Sequence, residues 1–418
     1  MARFVGLLCF LAVACASASS KVISNAASTS RIQSEYLISV RPNIMRGQTL
    51  TQSMDTFVQK MATLSEGISV ISRSDFTKLS VLHIKADSEA VVASMYSFPE
   101  VASIEANLEE YALDQCVTQT GLTRESGLWG LARIAKRQEA NDPTYTYGSN
   151  DGAGSYVYIV DAGIRISHND YGGRAIHGYT HPDIISGGDG DQNGHGTHCA
   201  GTVMASTYGV AKAAGAIAVK VLDNNGVGTT ARTIDGLNWI QNDFAARDAA
   251  AGGNFPAVVS MSLRFEPSDA MDAVLQELFD AGLITTASAG NQATESCFQS
   301  PARAAASVAV MASDWDNVLA DFSSFGVCAD VIAPGVTVRS TYINHDDSFW
   351  TLSGTSMSCP HAAGLLLRRM TQVIAATGSR PSPAALKDWI KNTATSGVIN
   401  IRNRPNTNNL FIYAPCNL

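Results

Sequence analysis

Three short segments of the 418-residue chain carry side chains suited to nucleophilic chemistry. An acid, Asp161, ends an apolar run in Tyr158-Ile-Val-Asp161-Ala-Gly163. A histidine, His195, follows a glycine in Asn193-Gly-His195-Gly-Thr-His198-Cys199. A serine, Ser356, lies in Ser353-Gly-Thr-Ser356-Met-Ser-Cys-Pro360-His-Ala-Ala-Gly364. A hydroxyl is a weak nucleophile at neutral pH and needs a base within hydrogen-bond reach; an imidazole, with an ordinary pKa of ~6.5, is suited to that work. A carboxylate on the far ring nitrogen would fix the tautomer and stabilise the imidazolium that forms. Each segment also has a plain alternative. Acids commonly end strands in turns, and serine is a preferred residue at helix starts. Zinc binding by His195 and His198 is set aside, because the spacing is not His-Glu-x-x-His and no third ligand motif accompanies it. Gly-Thr-Ser-Met also differs from the Gly-x-Ser-x-Gly elbow of α/β-hydrolases.

The surrounding pattern supplies elements that would position such groups. Strand-like apolar runs at 156–160, 216–221, 257–261, 283–286 and 308–310 alternate with segments of helical periodicity at 230–248 and 268–281. Buried strands alternating with helices predict an α/β fold, a mostly parallel sheet with helices on both faces. In such sheets functional groups gather where strands end and the following helices begin. Ahead of this region, residues 35–113 read as a small α+β unit. Residues 36–40, 79–84 and 101–104 are strand-like, and 50–64 and 88–96 are helical. Completed by one more strand between 64 and 79, these elements follow the order β-α-β-β-α-β, which predicts a ferredoxin-like module.

Composition removes several classes. Hydrophobic residues make up 45% and charged residues 16% of the chain, which excludes a disordered polymer. The net charge of −8 comes with no basic block or stripe, so no nucleic-acid partner is expected. Residues 1–18 read as a secretory signal: Arg3, an apolar stretch over 4–14, and Ala16-Ser17-Ala18 as the small-residue cleavage site. That stretch is too short to span ~30 Å of hydrocarbon, so no membrane partner is expected and the mature protein should be secreted and extracellular. Six cysteines follow the signal, as suits an oxidising compartment.

The order Asp…His…Ser with these flanks resembles the subtilisin-like serine proteases, and within them the proteinase K branch. The similarity runs from Trp129-Gly-Leu-Ala-Arg133 to Ala384 and includes Tyr208-Gly-Val-Ala-Lys212 and Val219-Lys-Val-Leu-Asp-Asn-Asn-Gly226. The resemblance implies a serine endopeptidase with Asp161, His195 and Ser356 as its triad and no catalytic cofactor. Asn291 in Thr286-Ala-Ser-Ala-Gly-Asn291 corresponds to the oxyanion donor, paired with the Ser356 backbone N–H. Extended peptide or protein substrates would lie between 225–230 and 260–264, touching Gly226, Ser262, Leu263 and Arg264. Two departures stand out: Arg264 replaces a glycine, and Ala162 replaces the threonine usual after the acid. His198 is read as structural.

The resemblance further makes residues 19–113, with a folded core of about 35–113, an inhibitory propeptide acting on its own chain. Residues 114–418 would be the peptidase domain, released by self-cleavage between about 112 and 115 as a monomer. It pairs Cys297 with Cys328 and makes Cys199 a free buried thiol. Cys116 with Cys416 would join the mature termini, leaving Cys359 reduced. A structural calcium ion is expected at Asp330 with the carbonyls of Ala305 and Ser307. A non-catalytic binding protein of the same shape would have no need to keep Asp161, His195, Asn291 and Ser356 together.

Overall fold

The computed structural model describes residues 23, 31–41, 49–64, 67–76, 79–108, 116–138, 142–184, 188 and 190–416. The expected signal at 1–18 and processing stretch at 112–115 lie outside the described residues. The chain divides into two compact units, Met1–Tyr111 and Ala112–Leu418.

The first unit runs β1 (Arg31–Val40), α1 (Leu50–Leu64), β2 (Ile68–Asp75), β3 (Ser80–Ala86), α2 (Glu89–Ser94) and β4 (Val101–Leu108). Its antiparallel sheet has the order β2-β3-β1-β4. That is the ferredoxin-like arrangement. Alternation does the folding work: Leu82, Ile84 and Ala86 of β3 turn inward while Val81, His83 and Lys85 do not. Met54, Phe57 and Met61 of α1 lie three and four residues apart and form one buried face over the sheet core of Tyr36, Ile38, Val40 and Ile104.

The second unit is built on a nine-stranded sheet. Ahead of it, β5 (Cys116–Gln119) pairs with β6 (Tyr145–Gly148), with α3 (Trp129–Ile134) between them. The chain then continues as β7 (Tyr156–Asp161), β8 (Ala175–Thr180), α4 (His195–Met204), β9 (Gly215–Lys220), α5 (Thr230–Ala250), β10 (Ala257–Met261), α6 (Asp269–Asp280), β11 (Ile284–Ser288), β12 (Ser307–Ser313) and β13 (Val331–Pro334). A hairpin of β14 (Val338–Thr341) and β15 (Phe349–Leu352) precedes α7 (Thr355–Thr377), α8 (Pro383–Thr393), β16 (Thr395–Ser396) and β17 (Leu410–Phe411). The order is β16-β17-β13-β12-β11-β10-β7-β9-β8, parallel except for the short β16–β17 pair.

Strand β7 shows why the runs are continuously apolar. Val157 and Ile159 enter a core shared with Ala200 and Val203 of α4 and Ala362 and Leu366 of α7. Tyr158 and Val160 enter a second core with Leu237 and Phe244 of α5 and Leu275 of α6. Both faces are covered, so no position along the strand is free to be polar until it ends at Asp161. Disulfides join Cys116 to Cys416 and Cys297 to Cys328, while Cys199 and Cys359 are buried free thiols.

Candidate active site

The carboxyl end of β7 delivers Asp161, whose side chain is buried. Its Oδ1 accepts the N–H of Ala162 at 2.7 Å, so the backbone of the residue that replaces the usual threonine still holds the acid. Lys220, at the same level on neighbouring β9, donates its ammonium to the Ala162 carbonyl at 2.5 Å. Burial pulls the Lys220 pKa down against the nearby acids Asp191 and Asp161.

Helix α4 opens with His195. Its cap, Gly194, has φ of +98°, and a Cβ there would strike the Tyr342 ring, so the turn requires glycine. Asp191 fastens this turn. Its Oδ1 accepts the N–H groups of Asn193 and Gly194, each at 2.9 Å, and its Oδ2 accepts the Thr197 N–H at 2.9 Å and hydroxyl at 2.7 Å. Burial nonetheless raises the Asp191 pKa. The His195 ring places Nδ1 2.8 Å from Asp161 Oδ2 and 3.0 Å from Oδ1. That pairing leaves Nε2 as the ring nitrogen available as a base. Burial disfavours the imidazolium, but the Asp161 carboxylate, then the Cys199 sulfur, outweigh it and raise the His195 pKa well above 6.5. His198 instead donates Nε2–H to the Val338 carbonyl at 3.1 Å, and burial pushes its pKa down to about 3. It stays neutral and structural.

Helix α7 carries Ser356 in its first turn and Pro360 four residues on. Proline has no N–H, so the Ser356 carbonyl loses its normal helical donor. Ser262 Oγ donates to it at 2.9 Å and Cys199 Sγ at 3.4 Å, which ties α7, the end of β10 and α4 together beneath the site. Ser356 Oγ donates to the Ser262 carbonyl at 3.2 Å. Among the described residues no hydrogen bond joins Ser356 Oγ to His195. The structure thus brings Asp161 and His195 into contact, while the Ser356 hydroxyl bonds the Ser262 carbonyl. Bonds between nucleophile and base are often long or misaligned in free enzymes and tighten around substrate.

Asn291 is exposed just beyond β11. Its Oδ1 accepts both the Thr355 N–H at 2.9 Å and the Thr355 hydroxyl at 2.8 Å. The orientation this imposes turns the amide NH2 away from those donors. Thr355 Oγ1 also accepts the Gly290 N–H at 3.2 Å, stitching the loop to the start of α7.

A cleft of about 700 Å³ opens beside His195, lined on one side by Asn225 to Thr230 and on the other by Ser262 to Phe265. Gly226 sits at φ +75° in a turn that Asp223 Oδ1 closes by accepting the N–H groups of Asn225 and Val227. Arg264 is exposed in this lining, and among the described residues it makes no ion pair.

The three groups expected to hold calcium, Asp330 and the carbonyls of Ala305 and Ser307, face a lysine in the structure. Lys387 of α8 places Nζ 2.9 Å from the Ala305 carbonyl, 2.5 Å from the Ser307 carbonyl and 3.2 Å from Asp330 Oδ2. An ammonium group thus fills the donor set proposed for the ion, and these residues do not fit a calcium site. The one visible carboxylate is a signal for any cation, and only the fold reveals which cation supplies it.

Sequence reasoning passed over Asp191, Lys220, Thr355 and Lys387. Asp191 carried a legible hint, an acid a few residues before a Gly-His helix start. Thr355 reads only as part of a serine motif until Asn291 is placed against it.

The subtilase family matches residues 152–413. A cuticle-degrading serine protease of Arthrobotrys oligospora is 38% identical over 326 residues, 76% of this chain and 74% of that one. Proteinase T of Parengyodontium album is 41% identical over 256 residues, 61% of this chain and 84% of its own. The crystal structure of a cold-adapted subtilisin-like serine proteinase superposes with a TM-score of 0.61 at 32% identity, covering 68% of this chain and 97% of that one. With the parallel sheet and this constellation at its strand ends, the chain belongs to the subtilase family and is a serine endopeptidase.

Proposed function

We propose that Asp161, His195 and Ser356 form the catalytic triad of a secreted endopeptidase made as a self-processing zymogen. The Asp161–His195 contact at 2.8 Å is the observation that carries this reading. His195 Nε2 takes the Ser356 proton as Oγ attacks the substrate carbonyl, and Asp161 stabilises the resulting imidazolium. The Asn291 amide and the Ser356 N–H, at the amino end of α7, receive the developing oxyanion. His195 then protonates the leaving amine, and water repeats the sequence on the acyl-enzyme.

A protein substrate lies extended in the cleft, with Gly226, Ser262, Leu263 and Arg264 as its walls. Residues 1–18 direct export. Residues 19–113 assist folding and block the site in cis until cleavage between 112 and 115 frees a monomeric enzyme. The first unit's ferredoxin-like topology and the resemblance of residues 35–113 to an inhibitory propeptide support this division. In the Ser356→Ala variant the precursor should accumulate uncut and casein hydrolysis should vanish. Persistent processing and hydrolysis would show that another group is the nucleophile.

A further inference from the structure

Helix α8 packs against β11 and α7 and places two lysines, Lys387 and Lys391, one turn apart on one face. Both reach Asp330, whose side chain is only 11% exposed: Lys387 Nζ lies 3.2 Å from Oδ2 and Lys391 Nζ 3.4 Å from Oδ1. The Lys387 ammonium has three N–H groups and finds three acceptors, the carbonyls of Ala305 and Ser307 and the Asp330 carboxylate. Asp330 Oδ2 also accepts the Ala309 N–H of β12 at 3.0 Å. One cation therefore gathers the loop before β12, the residue leading into β13, and α8.

We propose that Lys387 is a covalently tethered cation standing in for a divalent ion at this locus, so that calcium is not needed there. Coordination chemistry points the same way. Calcium takes six to eight oxygen ligands and is favoured by several carboxylates. Here one carboxylate faces two ammonium groups, and a further dipositive ion would meet both of them at close range. A tethered ammonium cannot be removed by a chelator or by dilution. The segment it holds therefore keeps its anchor in a calcium-poor medium, where a loaded metal site would empty. Removing the ammonium should expose two carbonyls and a carboxylate and turn the locus into a divalent-cation site.

The test is thermal unfolding of the mature protein under a serine-directed inhibitor, with chelator and with about 10 mM calcium chloride, which exceeds the dissociation constants of weak extracellular sites. Calcium should raise the midpoint of Lys387→Met by about 5 °C more than that of the parent. Adding Asp330→Asn should abolish this gain, whereas Asp330→Asn alone should leave the parent's calcium response unchanged. Lys387→Gln, which keeps N–H donors for the carbonyls, serves if Lys387→Met does not fold. Loss of an existing calcium response on Asp330→Asn in the parent would overturn the proposal. So would the absence of any gained response in the Lys387 variants. Neither outcome bears on the triad, which the inhibitor-treated protein does not exercise.

Discussion

Thr355 offers a sharp test of how Asn291, the proposed oxyanion donor, is held. Its hydroxyl donates to Asn291 Oδ1 at 2.8 Å, while its N–H makes a second bond to the same oxygen at 2.9 Å. Thr355→Val removes the first and keeps the second, so the amide loses part of its orientation. One neutral hydrogen bond is worth about 0.5–1.5 kcal/mol, which corresponds to a loss of about 2- to 12-fold in kcat. Asn291→Leu removes the donor itself. The loss measured for a side-chain oxyanion donor in subtilisin, a relative, is about 10²–10³ in kcat, and the same range is expected here. Because Thr355 acts through Asn291, the double variant should be no slower than Asn291→Leu alone. KM should stay near its parent value in all three, since the interaction forms only with the oxyanion. Thr355→Val also strips the Gly290 N–H of its acceptor. Thr355→Ser, which restores the hydroxyl, should therefore recover both stability and kcat. Steady-state kinetics on a chromogenic peptide gives each number. Independent, additive losses in the double variant, or a Thr355→Val effect confined to KM, would refute the coupling.

Other consequences follow from the same structure. The raised His195 pKa places the acid limb of kcat/KM at a midpoint above 6.5, because imidazolium cannot accept the serine proton and activity falls as pH drops through that value. Asp161→Asn should move the limb to lower pH and cut kcat by about 10⁴, read from pH–rate profiles. Breaking the 31-residue Cys297–Cys328 link with paired serines should lower stability by about 3–4 kcal/mol in denaturant titrations, provided m is unchanged. Arg264 is an exposed cation of the cleft lining with no ion pair among the described residues, so Arg264→Gly should weaken cleavage of peptides bearing acidic residues near the scissile bond, by about 5-fold, in a peptide-library digest.

The sheet was legible because burial on both faces forces unbroken apolar runs, as at 156–160, and the long helices because their periodicity is sustained. Strand β2 was not legible as a strand. Ile68–Asp75 lies largely exposed at the sheet edge, so no inward-facing alternation marks it. The short strands β13 and β17 carry too few residues to show a period. In the candidate site, Asp161, His195 and Ser356 stood out because strand ends and glycine turns punctuate the sequence around them. The supporting contacts did not stand out, because they join residues far apart in the chain. Lys220 reaches Ala162 across 58 residues and Thr355 reaches Asn291 across 64. Lys387 bonds to Ser307 across 80, and on a helix pattern alone it reads as an ordinary surface lysine.

The most direct measurement is covalent labelling of the folded mature protein with a fluorophosphonate, followed by mass mapping of the adduct. One stoichiometric adduct should fall on Ser356, and His195→Ala, with its propeptide removed by parent enzyme added in trans, should lose it while remaining folded. An adduct elsewhere, or undiminished labelling of His195→Ala, would contradict the assignment of that hydroxyl and that imidazole as a working pair.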